Sequence, residues 1–274
     1  MGAKNWQYWH CSEPLPYPAV GLIEWAIFAD TQEEPEAVYQ HLGWLTKQLP
    51  FPILVPTAGK LGDNLIKGVN SDGGRFVTIP NFTTVREGEI GAITKRQCTR
   101  EYKIDVINRC LRREILGLAP GRSVPKGTNI VQIYGLSYDE AGRIARVKAN
   151  SIYEPSFPLF EMEMTRRGCQ AWLKKQNIPH EVPRSACVFC PYHSNAEWRR
   201  IKENPRDWAR AVEIDQAIRD ADSVCSRNRR ELPYVHKSCV PLEQADLDDP
   251  ETKEAKRGQE MFGFLQECEG MCGV

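Results

Sequence analysis

The chain has 274 residues, enough for one large domain or one domain with an appendage. Lys plus Arg and Asp plus Glu both total 36, so no global charge draws it to nucleic acid or an anionic membrane; such a contact would need a local patch. With 26% charged and 41% apolar residues, no apolar run of membrane-spanning length and no basic-then-apolar leader, it reads as a soluble, non-secreted globular protein.

Residues 1–25 have neither helical nor strand periodicity. Asn5-Trp6-Gln7-Tyr8-Trp9-His10-Cys11 precedes Pro14, Pro16 and Pro18, and the stretch reads as loop. Trp25–Asp30 is a short apolar run closed by an acid, the pattern of a buried strand. Thr31 to Glu34 reads as loop, and Pro35 suits the first turn of a helix with Val38, Leu42, Leu45 and Leu49 at helical spacing. Ile53-Leu54-Val55 is a second strand. Strand, helix and strand with short loops predict a βαβ unit and a parallel sheet. Residues 57–95 are glycine-rich and irregular, with an extended stretch at 76–80.

Thr99 is a potential cap for a helix carrying Tyr102, Val106, Cys110 and Leu111 inward. Arg96, Arg100 and Lys103, at spacings of four and three, could share a face at its start and favour an anion; a solvated basic face is the alternative. Ile130–Ser137 is the clearest strand, followed by Tyr138-Asp139-Glu140 and Arg143. Gly135 at its end permits close backbone approach, and Asp30 has the same place on the first strand. Ligands of open α/β sheets sit at such carboxyl ends, although an acid there is more often a helix cap.

From about residue 156 the character changes. Thr165 is expected to cap a short helix with Cys169, Trp172 and Leu173, and Pro179 and Pro183 end it. Cys187-Val188-Phe189-Cys190-Pro191 follows, with Ser194 as an N-cap and Glu197 completing a capping box. Two cysteines on such a turn can share a metal ion or an iron–sulfur cluster; the other reading is two small buried residues. The C-terminal Cys268 and Cys272 are the candidate partner pair, and Cys98 could replace one ligand. Thiolate sulfur fits zinc or iron–sulfur. Ten cysteines in a chain this long suggest a reducing, cytoplasmic setting; Cys110 and Cys169 read as core. Pro205 starts another helix with Trp208, Val212 and Ile218 on one side, and residues 222–260 read as polar loops, with a basic stretch at Arg227-Asn228-Arg229-Arg230.

Taken in order, AIFADT (26–31), Glu34–His41, RQCTREYK (96–103), GLSYDEAGR (135–143), SACVFCPYHSNAEW (185–198) and ECEGMCGV (267–274) resemble the phosphoadenosine phosphosulfate (PAPS) reductase-like branch of the PP-loop ATP pyrophosphatase superfamily, in the form common in phages and bacteria. The resemblance implies an α/β fold, a parallel sheet sandwiched by helices, over residues 26–155. A helical, cysteine-bearing region would occupy 156–274. It implies an enzyme acting on ATP or PAPS in sulfur transfer or sulfonucleotide chemistry, with nucleic acid or a sulfur-carrier protein as further partners. Asp30, Gly135 and Arg143 would then meet the nucleotide; Arg96, Arg100 and Lys103 would stabilise the transferring phosphate or sulfate. Cys187, Cys190, Cys268 and Cys272 would hold an iron–sulfur cluster, with zinc as the alternative.

One departure is large. Relatives open with a strand and a Gly- and Ser-rich phosphate loop, and residues 1–25 have the length for that unit but none of its glycine pattern. A shift of two nucleotides through the codons of Asn5–His10 reads Leu-Ala-(Ile or Val)-Leu-Ala-Leu for every synonymous choice, a buried-helix pattern, so the segment is expected to be out of frame. If it is authentic, the phosphate site is incomplete, which favours a zinc-stapled binding module without catalysis.

Overall fold

A computed structural model describes residues 23–69, 74, 79–86, 89–90, 97–147, 152–220 and 232–248. Arg96, Cys268, Cys272 and the aromatic stretch at 5–11 lie outside them, as do Arg227–Arg230. Strand β1 (Ala26–Ile27) runs parallel to β2 (Ile53–Leu54), joined by helix α1 (Glu36–Gln48), which is the expected βαβ unit. The amides of Ala26, Phe28 and Asp30 donate to the carbonyls of Pro52, Leu54 and Pro56 at 3.0, 2.8 and 2.9 Å. Pro56 has no N–H to return, so the ladder thins to a bridge between Asp30 and Thr57.

Helix α2 (Leu61–Lys67) ends at Gly68, whose φ of 68° is the left-handed stop that glycine supplies. The irregular loop expected there is thus partly helical. Strand β3 (Phe82–Arg86) pairs antiparallel with β4 (Glu89–Ile90) and, on its other edge, with β7 (Pro233–Tyr234). A second parallel pair joins β5 (Val131–Ile133) to β6 (Glu154–Ser156). The chain is therefore mixed α/β with short parallel strand pairs. Among the described residues, no further strand lines the free edge of β1 or of β5.

The helical run at 97–115 is the spine between two cores. It is α-helical over α3 (Gln97–Thr99) and α4 (Asp105–Cys110), and π-helical over Arg100–Ile104 and Leu111–Ile115. It starts before Thr99, which sits in helical geometry and makes no cap bond. Tyr102 and Val106 enter the main core with Leu61, Phe189, Trp198 and Ile214. Ile107 and Leu111 enter the second, with Tyr134, Leu136 and Tyr153; Ile27 and Ala29 of β1 pack on the same group. Both parallel pairs therefore lean on one helix.

After the short helices α5 (Ala141–Ile144) and α6 (Pro158–Glu161), the Thr165 hydroxyl caps α7 (Arg166–Lys175) by accepting from the Gly168 amide at 3.1 Å. Ser194 and Glu197 form the expected capping box at α8 (Asn195–Glu203), and Pro205 opens α9 (Pro205–Arg219). The buried Asp215 on α9 accepts from the Val235 amide at 3.1 Å and the Leu242 amide at 2.8 Å. That carboxylate ties down part of the region read as loop, giving β7 and the turn at Leu242–Gln244.

Helix α2 meets α9 through a crossing that has no space for a side chain at Gly62. A Cβ there would meet Glu33 Oε1 and stand 2.5 Å from Arg210 Nη2 and 2.9 Å from Ile214 Cδ1. The Gly62 amide itself donates to Glu33 Oε1 at 3.0 Å. Gly62→Ala is expected to lower stability by about 1–3 kcal/mol through overpacking. Urea unfolding measures this; an unchanged midpoint would show that the crossing relaxes freely.

Candidate functional site

The cysteine turn is closed by the Cys190 amide donating to the Cys187 carbonyl at 2.8 Å. Between them, Val188 and Phe189 are buried in the main core. Behind the turn, His193 Nε2 donates to the same Cys187 carbonyl at 2.9 Å, and the His193 ring packs edge-on against Trp198 at 4.9 Å. Arg184 braces the approach, bonding the Tyr192 carbonyl at 3.1 Å and the Glu197 carboxylate at 2.9 Å.

The front of the turn meets the segment that leaves β1. Thr31 Oγ1 lies 3.2 Å from Cys187 Sγ, and the Val188 amide donates to the Glu33 carbonyl at 2.7 Å. The Ser185 hydroxyl donates to Glu34 Oε2 at 3.1 Å. The other oxygen, Oε1, stands 3.7 Å from Lys103 Nζ in a nearly fully buried ion pair and accepts no hydrogen bond. Burial pushes the Glu34 carboxyl up, against the pull of Lys103. Burial works to lower the Lys103 ammonium, but Glu34 and the sulfurs of Cys187, Cys98 and Cys190 outweigh it and hold it above the usual lysine value. Burial also raises Cys187 and Cys190, with Glu34 adding to the rise at Cys187, so both are protonated thiols at neutral pH.

Thr31, Lys103, Ser185 and the cysteines Cys98, Cys187 and Cys190 border one cavity of about 340 Å³, within the range that takes a small-molecule ligand. Thr31 beyond β1 and Gly135, Leu136 and Ser137 beyond β5 form its wall, so both parallel pairs point their carboxyl ends at it. Lys103, Arg143, Arg166 and Arg184 bring four cations to the lining, against the Glu140 carboxylate. Arg143 is buried and paired with Glu140, which also accepts from the Ser137 amide at 2.9 Å. Four thiols line the same space: Cys98, Cys169, Cys187 and Cys190.

Of the residues singled out by sequence, Lys103, Gly135, Arg143, Cys187 and Cys190 line the cavity. Cys98, the substitute ligand, joins them; so does Cys169, read as core. Asp30 does not line it: its Oδ1 accepts from the Gln32 amide at 2.8 Å and the Tyr39 hydroxyl at 2.9 Å, closing the turn where Gln32 takes a φ of 59°. Arg100 points away, its side chain 80% exposed and 3.9 Å from Asp105. The reason is the π-helical turn, whose i→i+5 bonding rotates residues three apart off a common face. Arg96, Cys268 and Cys272 lie outside the described residues. Among the described residues, no three His, Cys, Asp or Glu side chains form a group that could hold a metal ion, and no described helix is long and apolar enough to cross a membrane.

Compared with protein-family models, curated proteins and solved structures, the chain matches none.

Sequence reasoning missed Glu33 and Glu34, which it left in a loop, and Arg184. Adjacent acids ahead of a helix look like first-turn dipole partners, and nothing local marks them as buried. His193 escaped notice too, and it sets a pH dependence. Burial lowers it from 6.5 to about 4, and Nδ1, 4.0 Å from Glu197 Oε2, has no hydrogen bond. The unfolded chain takes up a proton near the usual value that the folded chain refuses until about 4. Stability is therefore full above 6.5 and falls as pH drops through that window. Urea midpoints should decline from pH 6.5 toward pH 4 in the wild type, and less steeply in His193→Gln. Parallel profiles for the two would contradict the assignment.

Proposed function

We propose that the chain is an enzyme acting on an adenine nucleotide, ATP or PAPS, in sulfur transfer or sulfonucleotide chemistry, of the PAPS reductase-like kind. The supporting observation is the meeting of Cys98, Cys187 and Cys190 with the buried Lys103 in one cavity at the carboxyl ends of β1 and β5. Cations and thiols facing the same space suit an anionic substrate and a sulfur-bound group together. In this reading the two parallel pairs are flanks of one helix-covered sheet, because they share a core and a cavity.

Cys98, Cys187 and Cys190 would hold an iron–sulfur cluster, with Cys268 or Cys272 as a further ligand. Thiolate sulfur suits such a cluster and Lys103 would offset its negative charge; the three part-buried side chains do not form a ready metal-holding group as they stand, so loading would draw Cys98 and the turn together. The cluster would supply an iron site for sulfur or a store for electrons. Because burial keeps the Cys187 and Cys190 thiols protonated, loading releases those protons. Lys103, Arg143, Arg166 and Arg184 would receive the phosphate or sulfate end of the nucleotide, beside the Gly135 backbone. The cysteines of the described residues stand as thiols and not as disulfides, which accords with a reduced, cytoplasmic setting.

Calorimetry on anaerobically prepared protein tests the nucleotide half of the proposal. The Glu34→Gln/Lys103→Met pair removes both buried charges together, so neither is left uncompensated. It should weaken ATP or PAPS binding by roughly tenfold to a hundredfold, as expected for losing a charged contact. Arg100→Leu, on the exposed face, should leave affinity unchanged. Undetectable binding of both nucleotides to the wild type would remove the proposal and leave a stapled binding module.

A further inference from the structure

A pair of histidines lies away from the cavity lining. His41 on α1 and His180, between α7 and the cysteine turn, are 139 residues apart in sequence, yet His41 Nδ1 and His180 Nε2 stand 2.8 Å apart. Trp44, one turn along α1, holds both rings. It stacks on His41 at 5.6 Å with an interplanar angle of 22°, and meets His180 edge-on at 5.6 Å and 89°. The two imidazoles are themselves edge-to-face, with centroids 5.1 Å apart. Each ring thus aims one nitrogen at the same point.

We propose that His41 and His180 form a two-imidazole site for zinc, completed by water. In the metal-free protein, one of the two facing nitrogens carries a proton and donates to the other. To bind zinc, that proton moves to the outer nitrogen of the same ring, and both lone pairs then face the ion. Zn–N bonds of about 2.0–2.1 Å in tetrahedral geometry place two nitrogens about 3.4 Å apart, so the rings need to part by roughly half an ångström. Burial, with His180 alongside, lowers the proton affinity of His41, which keeps it neutral and ready to ligate. The two rings are only partly buried, which admits water to the remaining positions.

The position gives the ion a structural role. Residues 31–41 are fastened to 180–188 through Thr31 with Cys187, Glu33 with Val188, Glu34 with Ser185, and His41 with His180. The histidines are the outermost of these ties. An ion there would lock α1 onto the segment that carries the cysteine turn, without contributing a ligand to the cavity. This inference does not depend on the nucleotide or on any cluster.

Carbethoxylation by diethylpyrocarbonate, read residue by residue by mass spectrometry on the full chain with and without zinc chloride, tests it. Zinc should suppress labelling of His41 and His180 together. Protection of His41 should be lost in His180→Gln and kept in Cys187→Ser/Cys190→Ser, which separates this site from zinc on the thiols. The zinc-dependent rise in melting temperature of the double cysteine variant should vanish when His180→Gln is added. Unchanged labelling of both histidines, or protection of His41 that survives His180→Gln, would overturn the proposal and leave a proton-sharing pair. If the cysteine variant fails to fold, the wild-type and His180→Gln footprints decide alone.

Discussion

Two adjacent carboxylates buried just after β1 hold this molecule together. Glu33 accepts from the Gly62 amide and pairs with Arg210 at 2.5 Å, and the same guanidinium reaches Asp63 at 2.5 Å. Glu34 faces the opposite way, to Ser185 and Lys103. One short segment thereby joins α2, α9, the spine helix and the cysteine turn. Burying carboxylates is costly unless each is matched, and removing one partner leaves the other charge stranded. Arg210 is accordingly pushed far above its ordinary value by the Glu33 hydrogen bonds, a sign of how firmly the pair is set.

That constraint also builds the site. With Glu34 fixed, Lys103 is drawn inward from a helix whose neighbouring Arg100 stays in solvent. With the Glu33 carbonyl fixed, the Val188 amide and hence the cysteine turn are pinned beside Thr31. The cavity therefore owes Lys103 and two of its thiols to a pair of acids that do not line it. The π-helical turn over Arg100–Ile104 is part of the same arrangement, since it sets Lys103 on the same wall as Cys98 of the preceding α3.

Much of the fold was legible because its signals are local. An apolar run, a helical period and a second apolar run specify β1, α1 and β2, and the Thr165 and Ser194 caps appear where side chain and spacing place them. What stayed hidden depends on distant partners. β7 pairs with the distant β3, and Asp215, on a helix, supplies an acceptor to the Val235 amide beside it; no period in 222–260 announces either. Arg100 was misplaced because spacings of three and four were converted with α-helical geometry where the backbone is π-helical. Cys169 shares its helix with ordinary packing residues, and only the tertiary arrangement puts it on a cavity wall. The CxxC turn was visible; that Cys98 would line the same cavity was not.

The central claim is that Cys98, Cys187 and Cys190 act as one set. Iron, acid-labile sulfide and zinc content after anaerobic purification tests it most directly, measured on the wild type and on Cys98→Ser and Cys239→Ser variants. The account predicts iron and sulfide near cluster stoichiometry in the wild type and in Cys239→Ser, and their loss in Cys98→Ser, which sits on the helix instead of the turn. Zinc in place of iron and sulfide, no metal at all, or a cluster that survives Cys98→Ser would contradict it.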